Sequence, residues 1–357
     1  MDLEDARHRI RKLDETILES AARRIELARE VAAIKLSQDL PTVDYRQERK
    51  VLDRGREIAQ TTGLDPHLAD DILSTLMSAS VTAQEAQRLR FAAAGKGKSA
   101  IVVGGAGRMG RWMVSFLRAQ EFRVAVLDPR SPGGIDEATR SRLTEVELVV
   151  SAAPPSRTAE LYRDWCSAPP SGIVCDMASI KTPMVEAIRN LQARGVRVSS
   201  FHPLFGPTTT SLRDCDVVVC DTGDRGAEDF VSDLFAPTSA RLIRIGLDEH
   251  DRLMADMLSL AHASTLAFAG ARVDGGERSV ELHSTTDRGL EKLAATLVRE
   301  SPEVYFEIQV DNPYSEEAVA RLERALGHLR DLIQRRDRNG FAKWMAAAAE
   351  RLPASPC

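Results

Sequence analysis

The stretch IVVGGAGRMG, residues 101–110, does most to limit what this chain can fold into. An apolar β pattern runs into clustered glycines and passes at once into RMGRWMVSFLRAQ, a helical pattern, so strand, tight turn and helix must follow one another directly. Gly105, Gly107 and Gly110 spell G-x-G-x-x-G, which leaves backbone amides bare at the start of a helix whose dipole also favours an anion. With Arg108 and Met109 between them, these glycines are candidates to hold the pyrophosphate of a dinucleotide. The next strand, RVAVLD, ends in Asp128, eighteen residues past Gly110. A carboxylate there accepts hydrogen bonds from a ribose diol and repels a 2′-phosphate, which favours NAD over NADP, while Arg130 keeps NADP open. The competing reading is a sharp strand-to-helix turn that holds no nucleotide.

On either side of this motif the texture changes. Leu3, Ile10, Leu13, Ile17, Leu18, Ala21, Ile25, Ala28, Val31 and Ala32 follow a 3.6-residue period through one almost unbroken helix. About thirty residues span roughly 45–50 Å, too long a stripe to bury within a ninety-residue monomer, so a partner helix from a second copy is expected. Two shorter helices are expected at about 45–60 and 66–90, with Gly63 and Asp65-Pro66 in the turn between them. From Ser99 the strands AIVVGG, RVAVLD, ELVVSA, GIVCDM, VRVSSF and DVVVCD alternate with helical stretches, and after Asp248 the pattern is helical to the end. The fold class is therefore multidomain: an all-α helical domain (1–90), a short basic linker (91–98), an α/β Rossmann-type parallel-sheet domain (99–245) and an all-α C-terminal domain (246–357). On this division, removing residues 1–90 should leave a sheet domain with its own core.

Composition narrows the partners. The net charge of −5 comes with dispersed lysines and arginines, so no basic stripe points to nucleic acid or a membrane surface. Cysteines 166, 175, 215, 220 and 357 form no CxxC pair, which argues against a zinc site or a disulfide framework and fits a reducing cytoplasm, with no metal expected. The opening MDLEDARHRIRKLDE is too charged for a signal peptide, and no run approaches the roughly 18 apolar residues of a membrane span. Small-molecule chemistry remains.

DMASIKTP (176–183) and SSFHPLFGP (199–207) close two successive strands, and the carboxyl ends of strands in such sheets open onto the ligand crevice. Ser179, Lys181 and His202 are then expected to line one cleft. A neutral imidazole there can take the proton of a substrate hydroxyl while hydride leaves the same carbon for a nicotinamide. The plainer alternative is a histidine that caps its own loop.

GGAGRMG, DMASIK, FHPLFGP and LDEHDRLMA (247–255) resemble, in order and nearly in wording, the prephenate dehydrogenase family, and the first ninety residues resemble the all-helical chorismate mutases. The whole chain resembles the bifunctional chorismate mutase/prephenate dehydrogenase family of tyrosine biosynthesis (the T-protein family). The resemblance implies an NAD-dependent oxidoreductase fused to an isomerase, acting as a homodimer on chorismate and prephenate. It implies that His202 accepts the proton of the prephenate ring hydroxyl, with Ser179 orienting both groups, and that loss of the ring carboxylate as carbon dioxide makes the ring aromatic. His250 and Asp251 match the family's E-H-D element and His262 a further histidine facing the active-site region; either histidine is equally read as a satisfied core residue. For the mutase, the resemblance implies that Arg7, from the second copy, and Arg24 bind carboxylates, and that Lys35 donates to the ether oxygen. It further implies that Glu48 and the backbone near Asp44 hold the ring hydroxyl, and that Ser80 and Gln84 complete the pocket.

Two positions depart from that pattern. Gln47 stands where related mutases carry an arginine, and Thr296 where related dehydrogenases place an arginine for the ring carboxylate, although Arg288 keeps its place. Lys292 and Arg299 flank Thr296 by one turn, and a lysine would hold a carboxylate as a point charge without arginine's fork. Because both changes touch groups that recognise the ring, the 4-amino-4-deoxy analogues are an alternative substrate pair. A dehydrogenase whose helical domain is an inactive dimer clamp, and a non-enzymatic binding protein, are the remaining readings.

Overall fold

A computed structural model describes residues 2–38, 40–130, 141–275 and 282–352; Cys357 lies outside them. Helix α1 (Leu3–Ser37) starts where the Asp2 side chain accepts from the Asp5 amide at 2.8 Å. Asp44 caps α2 (Tyr45–Thr62), which ends at Gly63 in the left-handed region (φ 75°), and Asp65 followed by Pro66 opens α3 (Pro66–Ala92). The expected helices are thus present, each slightly longer than its apolar pattern. No residue before Ala28 in α1 is buried, and Leu3, Ile10, Leu13 and Ile17 are 57–66 % exposed. Among the described residues nothing covers this stripe.

The sheet comprises β1 (Ser99–Val103), β2 (Arg123–Leu127), β3 (Leu148–Ser151), β4 (Ile173–Asp176), β5 (Val198–Pro203), β6 (Asp216–Asp221) and β7 (Arg241–Gly246), in the order β2-β1-β3-β4-β5-β6-β7. Helices α4 (Arg108–Ala119), α5 (Pro155–Trp165), α6 (Val185–Ala193) and α7 (Arg225–Phe235) belong to its crossovers. The sheet is not wholly parallel, as the sequence pattern suggests: β6 runs antiparallel to β5, and the unforeseen β7 then pairs parallel to β6. The loop after β5 turns the chain straight back into β6, with Leu204 donating to the Asp216 carbonyl at 2.9 Å, so no crossover helix is needed there.

The chain resolves into two compact units. The first comprises residues 1–153, 157–178 and 184–246, and so joins the N-terminal helices to the sheet. Glu85 of α3, buried, accepts from the amides of Leu212 (2.9 Å) and Ser239 (2.8 Å), and Leu89 sits in the sheet's own apolar core with Phe116, Leu117 and Phe122. Each bond from an amide to a buried carboxylate contributes on the order of 1.5–3 kcal/mol. Lys98 immediately precedes β1 and Gly95 donates to the Gln120 carbonyl, so residues 93–98 pack as turns against the sheet domain and do not hang as a free linker.

The second unit comprises 154–156, 179–183 and 247–357. It holds α8 (Leu247–Met254), a π-helical turn at Ala255–Ser259, α9 (Leu260–Asp274), α10 (Thr285–Leu297), α11 (Pro302–Val310), α12 (Ser315–Arg335) and α13 (Arg338–Ala349). No helix among the described residues is long and apolar enough to cross a membrane.

Candidate active sites

The glycine loop is built so tightly that side chains are excluded. Gly104 adopts φ +77°, and a Cβ on it would lie 2.9 Å from the backbone of Ala152. A Cβ on Gly105 would meet Val126 at 2.8 Å, and one on Gly110 would lie 2.8 Å from the Gly105 Cα and closer still to the Gly104 carbonyl oxygen. Gly107 caps α4 with no side-chain hydrogen bond to its first turn, where Arg108 and Met109 stand. Met109 is half-buried against the sheet core and Arg108 is exposed. Sequence spacing identifies three of the four working glycines; Gly104, the one with the left-handed turn, precedes the motif.

Asp128 follows β2 and is buried. Its Oδ2 accepts from the Ala106 amide at 3.0 Å, while its Oδ1 takes the Arg130 amide at 2.8 Å and the Arg130 guanidinium at 3.2 Å. Burial pushes its carboxyl up, but hydrogen bonds from Arg130 and Ala106 outweigh that and hold it below the ordinary carboxylate range. The carboxylate thus pins the loop while standing one strand from the pyrophosphate cradle. Bare amides, excluded Cβ atoms and a buried anion fit a dinucleotide.

His202 is the penultimate residue of β5 and pairs with Val218 of β6. Its neighbour Phe201 packs on Phe235 of α7 at 5.6 Å between ring centroids, so alternation turns His202 to the opposite face of the sheet, beside Ser200. Ser200 donates to Asp176 at 3.1 Å, and Asp176 also accepts from the Ala178 amide, which fixes the turn after β4. His202 is buried at 7 % exposure on a ladder-bonded strand, a more rigid place than the loop that its alternative reading required.

In the second unit, Asp251 organises the DMASIKTP turn. Its carboxylate accepts from the amides of Lys181 (2.7 Å) and Thr182 (2.7 Å) and from the Thr182 hydroxyl (2.7 Å), and His250 Nδ1 lies 2.8 Å from it. Burial raises the Asp251 carboxyl, and the bonds from His250 and Thr182 more than reverse this. His250, Asp251 and Lys181 are all fully buried, and Ser179 is half-buried at the same turn. His262 on α9 differs: its ring meets Tyr305 edge-on at 4.6 Å, its Nδ1 is buried without a hydrogen-bond partner among the described residues, and burial lowers its pKa. Burial therefore favours the uncharged ring at this position. Arg288, Lys292 and Thr296 lie exposed along α10 and Arg299 lies exposed just past its end, and the Thr296 hydroxyl is spent on the Lys292 carbonyl at 2.9 Å.

The residues expected for a mutase lie on the three N-terminal helices of the first unit. Arg24 Nη1 donates to the Leu76 carbonyl at 2.7 Å and to Ser80 Oγ at 2.6 Å, tying α1 to α3. Lys35 Nζ donates to the Thr42 carbonyl at 2.6 Å; burial lowers its pKa, Arg88 adds to this, and Asp44 and Glu48 oppose it, which places all four groups in one electrostatic neighbourhood. Ser80 and Gln84 are buried one turn apart, and Gln84 Oε1 has no hydrogen-bond partner among the described residues. Asp44 uses its side chain to cap α2 through the Gln47 amide, and Gln47 is exposed. Arg88, one turn beyond Gln84, is a residue that the 80-84-88 helical spacing could have found. Arg7 pairs with Glu4 at 3.2 Å on the exposed end of α1. Seventeen residues separate it from Arg24, about 25 Å along the axis, so one chain cannot bring both to one ligand.

Fold and geometry define a dinucleotide-binding dehydrogenase carrying an all-helical cationic pocket at its N-terminus. Residues 6–85 match the type II chorismate mutases, 126–244 the prephenate dehydrogenase nucleotide-binding domain, and 247–347 the prephenate dehydrogenase dimerization domain. The chain belongs with the bifunctional chorismate mutase/prephenate dehydrogenases. It is 26 % identical to the T-protein of Enterobacter agglomerans over 95 % of this chain and 90 % of that one, and 28 % identical to 4-amino-4-deoxyprephenate dehydrogenase of Streptomyces pristinaespiralis over 69 % and 88 %. The crystal structure of prephenate dehydrogenase from A. aeolicus with hydroxyphenyl propionate and NAD+ shares its fold, with a TM-score of 0.59 at 17 % identity, over 71 % of this chain and 96 % of that one.

Proposed function

We propose that this chain rearranges chorismate to prephenate in its helical pocket and oxidatively decarboxylates prephenate to 4-hydroxyphenylpyruvate at the sheet, in a reducing cytoplasm and as a homodimer. The observation that carries the reading is the coexistence in one chain of a fitted dinucleotide loop, a buried strand histidine and a separate cluster of cations around Ser80 and Gln84.

At the dehydrogenase site, NAD supplies the hydride acceptor. His202 takes the ring-hydroxyl proton as the carbon–hydrogen bond breaks, Ser179 orients the hydroxyl, and the carboxylate then leaves as carbon dioxide, its bonding electrons completing the aromatic ring. Asp251, held by His250, sets the turn that presents Ser179. His262, Arg288 and Lys292 are the groups offered to the side chain and ring carboxylate, and Thr296 contributes no charge there.

Rearrangement needs no covalent intermediate; it needs the dicarboxylate held compactly while the ether bond breaks and the new carbon–carbon bond forms. Arg24 and the second copy's equivalent of Arg7 bind carboxylates, and Lys35 with Gln84 addresses the ether oxygen. The exposed apolar stripe of α1 supplies the surface on which that second copy docks.

Incubating the full chain with chorismate and NAD should consume chorismate and release NADH and 4-hydroxyphenylpyruvate. Prephenate accumulating without NADH sinks the dehydrogenase, whereas NADH from supplied prephenate alone marks the helical domain as a clamp. Gln47, Thr296 and the likeness to the Streptomyces enzyme favour the 4-amino-4-deoxy pair as a second reading. Direct competition between the hydroxy and amino substrates ranks the two.

A further inference from the structure

The loop that leaves β5, the strand of His202, reaches the mutase pocket. Arg213 in this loop donates from Nη1 and Nη2 to the two carboxylate oxygens of Glu48 at 2.8 and 2.7 Å, and from Nε to Asp214 at 3.1 Å. Asp214 in turn accepts from the Tyr45 hydroxyl at 2.8 Å, and the Tyr45 ring lies 5.6 Å from the guanidinium. The amide of Leu212, the residue before Arg213, is held by Glu85 of α3. Residues 212–214 are therefore fixed from α2 and α3 together. The Arg213 and Glu48 side chains are 22 % and 16 % exposed, a more sheltered pair than any at the free surface. A cavity of about 520 Å³ opens against them, lined among others by Leu52, Ser78, Thr209 and Ser211.

We propose that Arg213 is a positioning residue of the mutase site, lent to it by the dehydrogenase segment. The inference rests on the mutase reading above. Glu48 is the group that holds the ring hydroxyl of chorismate, and a glutamate on a helix surface samples several rotamers unless something fixes it. The planar fork of an arginine fixes both oxygens at once and leaves their remaining lone pairs aimed in set directions. Three of the five guanidinium N–H groups are used in these bonds, one from each nitrogen. Arg213 thereby sets a guanidinium against Glu48, the residue that follows Gln47. The same loop follows His202, so the two activities share one structural element.

The test uses the full-length R213A, R213K, E48Q and R213A/E48Q chains. Mutase is followed by loss of chorismate, and dehydrogenase by NADH formed from supplied prephenate. R213A should lower mutase kcat/KM about ten- to hundredfold while prephenate oxidation stays near the wild-type rate. R213K, with the charge but without the fork, should recover part of the loss. The double variant should be no slower than E48Q, because Arg213 acts through Glu48. Mutase at the wild-type level in R213A, losses that multiply in the double variant, or an equal fall of both activities in R213A and R213K overturns the proposal. A wild-type chain that leaves chorismate intact defeats the mutase reading itself, a result separate from these.

Discussion

The two sites differ in what they are made of. The dinucleotide cradle is backbone: glycines packed against neighbouring backbone, amides at the start of α4 and one carboxylate, drawn from residues 104–130 with the Ala152 backbone closing on Gly104. The proposed mutase pocket is side chain: Arg24, Lys35, Glu48, Ser80 and Gln84 from three helices, Arg213 bonded to Glu48 from the loop after β5, and, on the proposed reading, an arginine from a second copy. A backbone site is complete as soon as its local segment folds, whereas a side-chain site exists only after distant segments and a second copy have met. The first should tolerate loss of partners and fail to local changes; the second should do the reverse.

The sharpest way to break this comparison is to disable the sheet site alone. His202→Asn should lower prephenate oxidation by about 10²–10⁴-fold, the usual worth of a general base, with chorismate consumption unchanged. Steady-state NADH formation from supplied prephenate, beside the loss of chorismate, reads both. A full rate of NADH formation would remove the histidine from the mechanism, and a matching fall in mutase would show that the sites are one.

The next effect tests dependence on a second copy. R7A and R24A should each reduce mutase by about a hundredfold, as loss of one charge-stabilising donor does. Mixed and reassociated, the two variants form heterodimers in which one of two sites has both arginines, so about a quarter of wild-type activity should return. Recovery measured against the mixing ratio decides it. No recovery above the parent variants would place Arg7 in its own chain's pocket, against the roughly 25 Å of helix between them.

What the sequence discloses follows the same division. The glycine loop, Asp128 and the alternation of strands and helices are local patterns, so spacing alone locates them; β7 escaped because RLIRIG has arginines at both faces, and its pattern is weak. The antiparallel β6 escaped because a strand's direction is set by the length of the preceding connection and not by its own residues. On α1, the apolar period was legible as an amphipathic stripe, and the structure leaves that stripe exposed from Leu3 to Ile17. Glu85, by contrast, looks in the sequence like one more exposed helix charge, yet it is buried and carries two amides of the sheet domain. With Leu89 in the sheet core, it makes residues 1–90 part of one compact unit, so truncation there strips the sheet domain of buried groups and does not cut at a linker.

The smallest expected effect lies at Asp128 and Arg130, where the backbone-built site has its one negotiable contact. Asp128 is 1 % exposed and keeps two amide bonds whatever Arg130 does, whereas the Arg130 side chain is 68 % exposed and its ion pair is open to water. An exposed pair of this kind holds by about 1 kcal/mol or less, so a ribose diol displaces the guanidinium at little cost and NAD is accepted. Arg130→Ala should therefore raise the apparent NAD affinity by no more than about fivefold. Asp128→Ala should act in the other direction. With the anion gone, Arg130 is left to meet a 2′-phosphate, and the NAD-to-NADP ratio of kcat/KM should fall by about tenfold or more. Titrating both cofactors against both variants measures the two shifts together. If the ratio stays constant in Asp128→Ala, the carboxylate pins the loop and does not read the ribose, and cofactor choice must lie in the glycine turn itself.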